Sequence, residues 1–175
     1  MIEKLVFYPS PLLRAPKLRP LPPAVHSPAL RKTITTLRDT MYAHEAIGLA
    51  APQIGVLERV FVLDGKLRPE AAGDPPPLVF VNPKIVAIHG TVRMTEGCLS
   101  LPSAFLPVER AREVQVVAED AEGEPFELTA NGLLARAILH EHDHLEGILM
   151  IDHVDVFLRE RAQRQTQKWR SDRSV

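Results

Sequence analysis

The sequence contains a single cysteine in 175 residues, so no internal disulfide can form. It has no run of eighteen apolar residues, which excludes a helical membrane span. The opening MIEKLVFYPSPLLRAP has a proline-broken apolar stretch and no small-residue cleavage site, unlike a secretory leader. Net charge is almost absent as well, with 21 Lys plus Arg against 22 Asp plus Glu, so no whole-chain field recruits DNA or an anionic membrane. Repeats and low-complexity tracts are missing. These absences imply a cytoplasmic globular protein, with residues 1–175 forming one domain.

What the chain does have is proline. It carries 16, seven of them within the first 28 positions, and this opening segment is expected to be extended. Ser27 then offers an N-cap and Pro28 a first-turn proline, and Leu30, Ile34, Leu37 and Met41 recur at helical spacing, predicting a helix from 28 to about 45. β-Branched and aromatic runs at Arg59–Leu63, Leu78–Val81, Lys84–Ile88, Glu113–Ala118 and Pro125–Leu128 predict strands. Gly65–Pro77 reads as an exposed loop. A second helix is expected from a cap at Asn131 to Gly147, with Leu133, Leu134, Ala137 and Ile138 as its buried stripe. A third, from about Val156 to Trp169, carries Arg159, Arg161, Arg164, Lys168 and Arg170 around a thin apolar line that includes Trp169, expected as a packing contact. Helices at both ends with strands between them predict an α+β fold, its antiparallel or mixed sheets packed around the second helix.

That second helix carries His140-Glu141-His142-Asp143-His144, an H-E-x-x-H pattern. Residues at i and i+4 share a helix face about 5–6 Å apart, so both imidazoles can reach one cation. Glu141, beside that face, is placed to take a proton from a water acidified by the ion. A catalytic metal needs a third protein ligand, and the obvious sources fail. In the extended three-histidine pattern Gly147 fits, but the last histidine position is Met150. Glu146 faces away from the two histidines, and Glu160 lies in the basic terminal helix. Cys98 remains, in the glycine-marked stretch Glu96-Gly97-Cys98-Leu99-Ser100-Leu101-Pro102. His142 lies off the ligand face, and His26, His44, His89 and His153 lack ligand spacing.

A third segment, Ile47-Gly48-Leu49-Ala50-Ala51-Pro52-Gln53-Ile54-Gly55, is rich in small apolar residues. In order, GLAAPQIG, EGCLSLP and HEHDHLEG resemble the three signature motifs of peptide deformylases. The likeness extends to YPSPLLRAPKLRP, VNPKI and GILMIDHVD, and so covers most of residues 1–157.

The resemblance implies a metal-dependent hydrolase that removes the formyl group from the initiator methionine of nascent chains and releases formate. By it, Cys98, His140 and His144 hold the metal, Glu141 is the base and later the proton donor, and the Gln53 amide and Leu99 N–H stabilise the oxyanion. Gly48 lines the formyl site. Ile47, Met94, Leu133 and Ala137 form the methionine pocket, while Gly97 and Phe105 flank the peptide. Iron(II) is the expected ion in the cell, with zinc, nickel and cobalt able to take the same ligands. The partners implied are N-formyl-Met peptides, and the basic terminal helix is a candidate for ribosome contact. Three positions depart from the usual pattern: Ala46 replaces a common glycine, Leu139 a glutamine, and Phe105 an arginine found in some members. Arg110, twelve residues after Cys98, matches a common arginine and is a candidate partner for Glu96. Two other readings compete: a zinc peptidase cutting internal bonds, and a deformylase-like module retained for binding metal or the ribosome.

Overall fold

The structure, a computed structural model, describes residues 2–14 and 27–173. The proline-rich stretch 15–26, His26 included, lies outside the described residues. Of the opening segment, residues 2–7 form neither helix nor strand, whereas Pro11–Arg14 close into a 3-10 turn where an extended chain was expected.

Helix α1 (Pro28–Ala43) begins as the sequence predicts, with Ser27 Oγ accepting from Leu30 N at 3.1 Å. The chain then lays down β1 (Gly48–Ala50), a 3-10 turn (Ala51–Ile54), β2 (Val60–Leu63) and β3 (Leu78–His89). The two strands expected at 78–81 and 84–88 are one. Asn82, at φ 50°, and Pro83, which has no N–H to give, mark a register shift that bends the strand without ending it. β6 (Glu113–Glu119) and β7 (Pro125–Asn131) complete a five-stranded sheet in the order β1-β2-β3-β6-β7. β4 (Val92–Gly97) and β5 (Phe105–Arg110) form a separate two-stranded sheet that the sequence reading did not delimit. Every strand pair is antiparallel, so of the two sheet types expected the antiparallel one is present.

Alternation along β2 explains how the layers are held. Phe61 and Leu63 point to one face, where they meet Phe80, Val114, Val116 and the apolar stripe of α2 (Gly132–Leu145). Val60 and Val62 point to the other, against Leu37 and Met41 of α1. A third cluster joins Leu106 and Val108 of β5 to Leu149, Ile151 and Ala162, the last on α3 (Val156–Asp172). Two expectations for α2 are corrected. Asn131 occupies the cap position but its side chain makes no cap bond. Leu133 is 49% exposed, so it does not belong to the buried stripe.

Phe61 and Phe80 are fully buried and stack at 4.6 Å between ring centroids, at the centre of the α2-facing core. Phe61→Ala is expected to lower unfolding free energy by about 3–5 kcal/mol, measured by urea titration.

Candidate metal centre and active site

Two segments meet at one point. The turn after β4 supplies Cys98, and α2 supplies His140 and His144. One ligand atom from each lies within 4.8 Å of the other two, with Cys98 Sγ 3.4 Å from His144 Nε2. The ring centroids of the histidines are 5.1 Å apart, as one helical turn dictates.

The set fits a divalent cation on the chemistry of its donors. Burial opposes ionisation of the Cys98 thiol, yet the facing His144 and His140 outweigh it and hold the group well below the ordinary thiol range. Burial likewise opposes charge on His140, and Cys98 and Glu96 outweigh it to raise that histidine well above its usual value. A site that favours a thiolate between two imidazoles is one where a cation can replace the protons. His140 Nδ1 lies 3.0 Å from Glu96 Oε2, and because a carboxylate can only accept, Nδ1 carries the hydrogen and Nε2 is left for the metal.

Glu96 sits at the centre of a buried ion cluster. Arg110 donates Nε and Nη2 to its two oxygens at 2.8 and 3.0 Å, as the sequence suggested, and Arg136 donates Nη1 to the same carboxylate. Arg110 also reaches Asp143 at 2.6 Å, and Asp143 pairs with His153 at 2.7 Å. Burial would raise the Glu96 pKa, but His140 and Arg110 drive it far below the ordinary carboxylate range. Sequence reasoning missed Arg136 and the Asp143–His153 pair. The available signal for Arg136 was a charge between two alanines that the helical period places in the core.

Glu141 is 5% exposed, and its Oε2 has no hydrogen-bond partner among the described residues. Burial raises its pKa, with His140 and His144 partly offsetting the shift. Gly48 explains how the backbone passes this carboxylate: a Cβ there would lie 2.6 Å from Glu141 Oε1 and 2.8 Å from Leu63 Cδ2. Gln53, in the 3-10 turn after β1, accepts from Ala50 N through Oε1 at 2.8 Å. That contact fixes the amide, whose Nε2 donates to Ser100 Oγ at 3.3 Å and lies 3.6 Å from Cys98 Sγ.

These groups open onto a cavity of about 580 Å³. Of the residues singled out from sequence, Ile47, Gly48, Gln53, Gly97, Cys98, Leu99, Phe105, Leu133, Ala137, His140 and Glu141 line it. His144 is buried behind the others at 2% exposure. Met94 is not among the lining residues: it projects from β4 at 45% exposure, opposite Val108. Leu133, which periodicity assigned to the core and the resemblance to the methionine pocket, lines the cavity.

Replacing Glu96 by Gln keeps the shape but leaves Arg110 and Arg136 short of a counter-charge in a buried setting. Glu96→Gln is expected to cost about 3 kcal/mol of stability. It should also weaken metal affinity about 10–100-fold, measured by competition with a chromogenic chelator.

A family model described as polypeptide deformylase matches residues 2–160. A peptide deformylase from Alkalilimnicola ehrlichii is 40% identical over 167 residues, covering 95% of this chain and 90% of that protein. One from Nitrosococcus oceani is also 40% identical, covering 95% of each. The crystal structure of a peptide deformylase from Legionella pneumophila superposes with a TM-score of 0.90 at 38% identity, covering 99% of this chain and 98% of the other. A peptide deformylase from Synechococcus elongatus in complex with actinonin gives a TM-score of 0.83 at 38% identity, over 94% and 86%. With a match that spans nearly the whole sequence and the whole fold, the chain belongs to the peptide deformylase family.

Proposed function

We propose that residues 1–175 act as one catalytic domain that hydrolyses the formyl amide of N-formyl-methionyl peptides, using a divalent ion held by Cys98, His140 and His144. The observation that carries the reading is the convergence of those three ligand atoms within 4.8 Å, beside the buried carboxylate of Glu141. When bound, the ion supplies Lewis acidity, acidifying a water and polarising a carbonyl. The rest falls to the protein.

Glu141 takes a proton from the attacking water, a task suited to a carboxylate whose pKa burial has raised. Gly48, which lines the cavity, is the proposed neighbour of the formyl group, and its missing Cβ lets the Glu141 carboxylate lie against the backbone there. As water adds to the formyl carbon, the carbonyl oxygen gains charge. The Gln53 amide, already oriented by Ala50 N, and the Leu99 N–H are the donors for it. The C–N bond then breaks, Glu141 returns its proton to the amine, and formate and a free N-terminus leave. Ile47, Leu133 and Ala137 line the apolar part of the cavity suited to the methionine side chain. Met94 is dropped from that role.

Iron(II) is the proposed ion in the cell, with zinc, nickel or cobalt able to replace it. The proposed compartment is the cytoplasm, and no helix among the described residues is long and apolar enough to cross a membrane. For a ribosomal contact α3 offers Arg161, Arg164 and Lys168, exposed on its surface. Arg159 and Arg170 instead donate to backbone carbonyls of this chain.

Purification without oxygen, metal analysis, and an assay of formate release from a formyl-Met peptide against cleavage of an unformylated one test the reading. Formate release supports it. Internal cleavage of the unformylated peptide would favour a peptidase, and metal binding without either activity a non-enzymatic module.

Cys98→Ala and His144→Ala are expected to lose bound metal, whereas Glu141→Gln keeps it and loses about 10²–10⁴-fold in kcat, read at matched metal content. Gly48→Ala should retain metal and lower kcat about 100-fold, because the added methyl displaces the Glu141 carboxylate; near-normal turnover would remove that contact from the mechanism.

A further inference from the structure

Aromatic residues are scarce here, at six Phe, two Tyr and one Trp. Three of these nine nevertheless line the same cavity: Phe7 from the N-terminal segment, Phe105 from β5 and Trp169 from α3. Trp169 is the packing contact expected from sequence, with its ring centroid 5.2 Å from that of Phe7 at an interplanar angle of 55°. It is also part of the cavity wall, a place the sequence reading did not give it.

Each ring is held there by the backbone around it. One turn before Trp169, the hydroxyl of buried Thr166 donates to the Pro102 carbonyl at 3.3 Å. The next residue, Arg170, donates to the Tyr8 carbonyl at 3.0 Å. The Arg173 guanidinium caps the indole, 4.6 Å from its centroid. The segment bearing Phe7 is tied by Val6 N to Gln53 O at 2.8 Å and by Tyr8 N to Ser100 O at 2.9 Å. Val6 and Tyr8 pack against one core cluster and Leu5 against another, while Leu5 and Phe7 line the cavity. Phe105 pairs with Gly97, next to the metal-binding Cys98, and is 65% exposed. Its ring lies over the glycine so closely that a Cβ on Gly97 would come within 2.9 Å of it. A ring that exposed contributes little to a core, and here it stands in the wall of the substrate cavity.

We propose that Phe7, Phe105 and Trp169 form a second, aromatic subsite of the cleft, which takes an apolar side chain, aromatic by preference, from one of the two residues that follow formyl-methionine. The inference rests on the deformylase reading, which puts the first residue beside Cys98 and Glu141. An extended peptide advances about 3.3 Å per residue and sends successive side chains to opposite sides, so the next two residues reach beyond the methionine pocket. Aromatic walls favour a ring over an aliphatic chain of similar area through edge and offset contacts.

The test uses formyl-Met-X-Y peptides, with X and Y varied singly through Gly, Leu and Phe, on the metal-loaded full chain. Wild type should prefer Phe to Gly at one position by about 10-fold in kcat/KM, carried mainly by KM, and Trp169→Ala should cut that preference to about 2-fold. Trp169→Phe should retain most of it, and Phe105→Ala should reduce it without touching α3. A purely structural Trp169 would lower the rate on every peptide by the same factor and leave the preference intact, which overturns the proposal. Because Trp169 is the sole tryptophan, its fluorescence reads occupancy independently of turnover. Unformylated Met-Phe-Phe should shift the emission saturably and Met-Gly-Gly should not; no response, or equal responses, would also overturn the subsite. Deformylation of all peptides at one rate defeats the subsite alone. Absence of any deformylation defeats the functional reading, and the fluorescence titration still decides the subsite.

Discussion

The buried carboxylate of Glu96 is the contact on which the rest of the site depends. It stands on β4, accepts from Arg110 of β5 and from Arg136 and His140 of α2, and so ties the small sheet to the motif helix. Such a cluster is costly to desolvate and survives only if every charge is answered. Here Glu96 and Asp143 balance Arg110 and Arg136. His140 therefore faces a cluster already neutral within itself and can give its second nitrogen to a metal. The cluster also sets where Cys98 lies, because Glu96 and Cys98 flank Gly97 at the end of the same strand.

The two glutamates of the site are tuned in opposite directions by what surrounds them. Both are buried, yet Glu96 meets two guanidiniums and an imidazole and stays ionised, while Glu141 has an oxygen with no partner among the described residues and is pushed toward the neutral form. One holds the scaffold and the other can move a proton. Close approach completes the difference, since the bare Gly48 backbone lies against the Glu141 carboxylate where any Cβ would strike it.

Much of this was legible in the sequence wherever a period or a spacing carried it. Helical repetition located α1, α2 and α3, the i and i+4 histidines placed two ligands on one face, and the resemblance brought Cys98 and Gln53 to the same site. β4 and β5 were hidden because their buried residues include Glu96 and Arg110: β4 buries that glutamate and no apolar residue, and the alternation of β5 ends on an arginine. Pro107 obscured β5 further. Asn82-Pro83 resembled a turn, although an antiparallel ladder can absorb both as a bulge. Periodicity assigned Leu133 to the core although the resemblance put it in the pocket, because periodicity reports an apolar face without saying whether protein or cavity lies against it. Trp169 was expected to pack, but neither its partner Phe7 nor its place in the cavity wall could be named, since both depend on residues more than a hundred and fifty places away.

That distance bears on the order in which the molecule can mature. Gln163 donates to the Tyr8 hydroxyl and Arg170 to the Tyr8 carbonyl, closures spanning 155 and 162 residues, and both lie in the shell around the cavity. Loop closures of that length come late in folding, because their chain entropy is lost before any contact offsets it. On a ribosome, the segment carrying Tyr8 emerges long before the helix it must meet. The five-stranded sheet and α1 can form while synthesis continues, but the complete cleft is assembled only after α3 has left the exit tunnel, so competence to bind peptide is among the last properties the chain acquires.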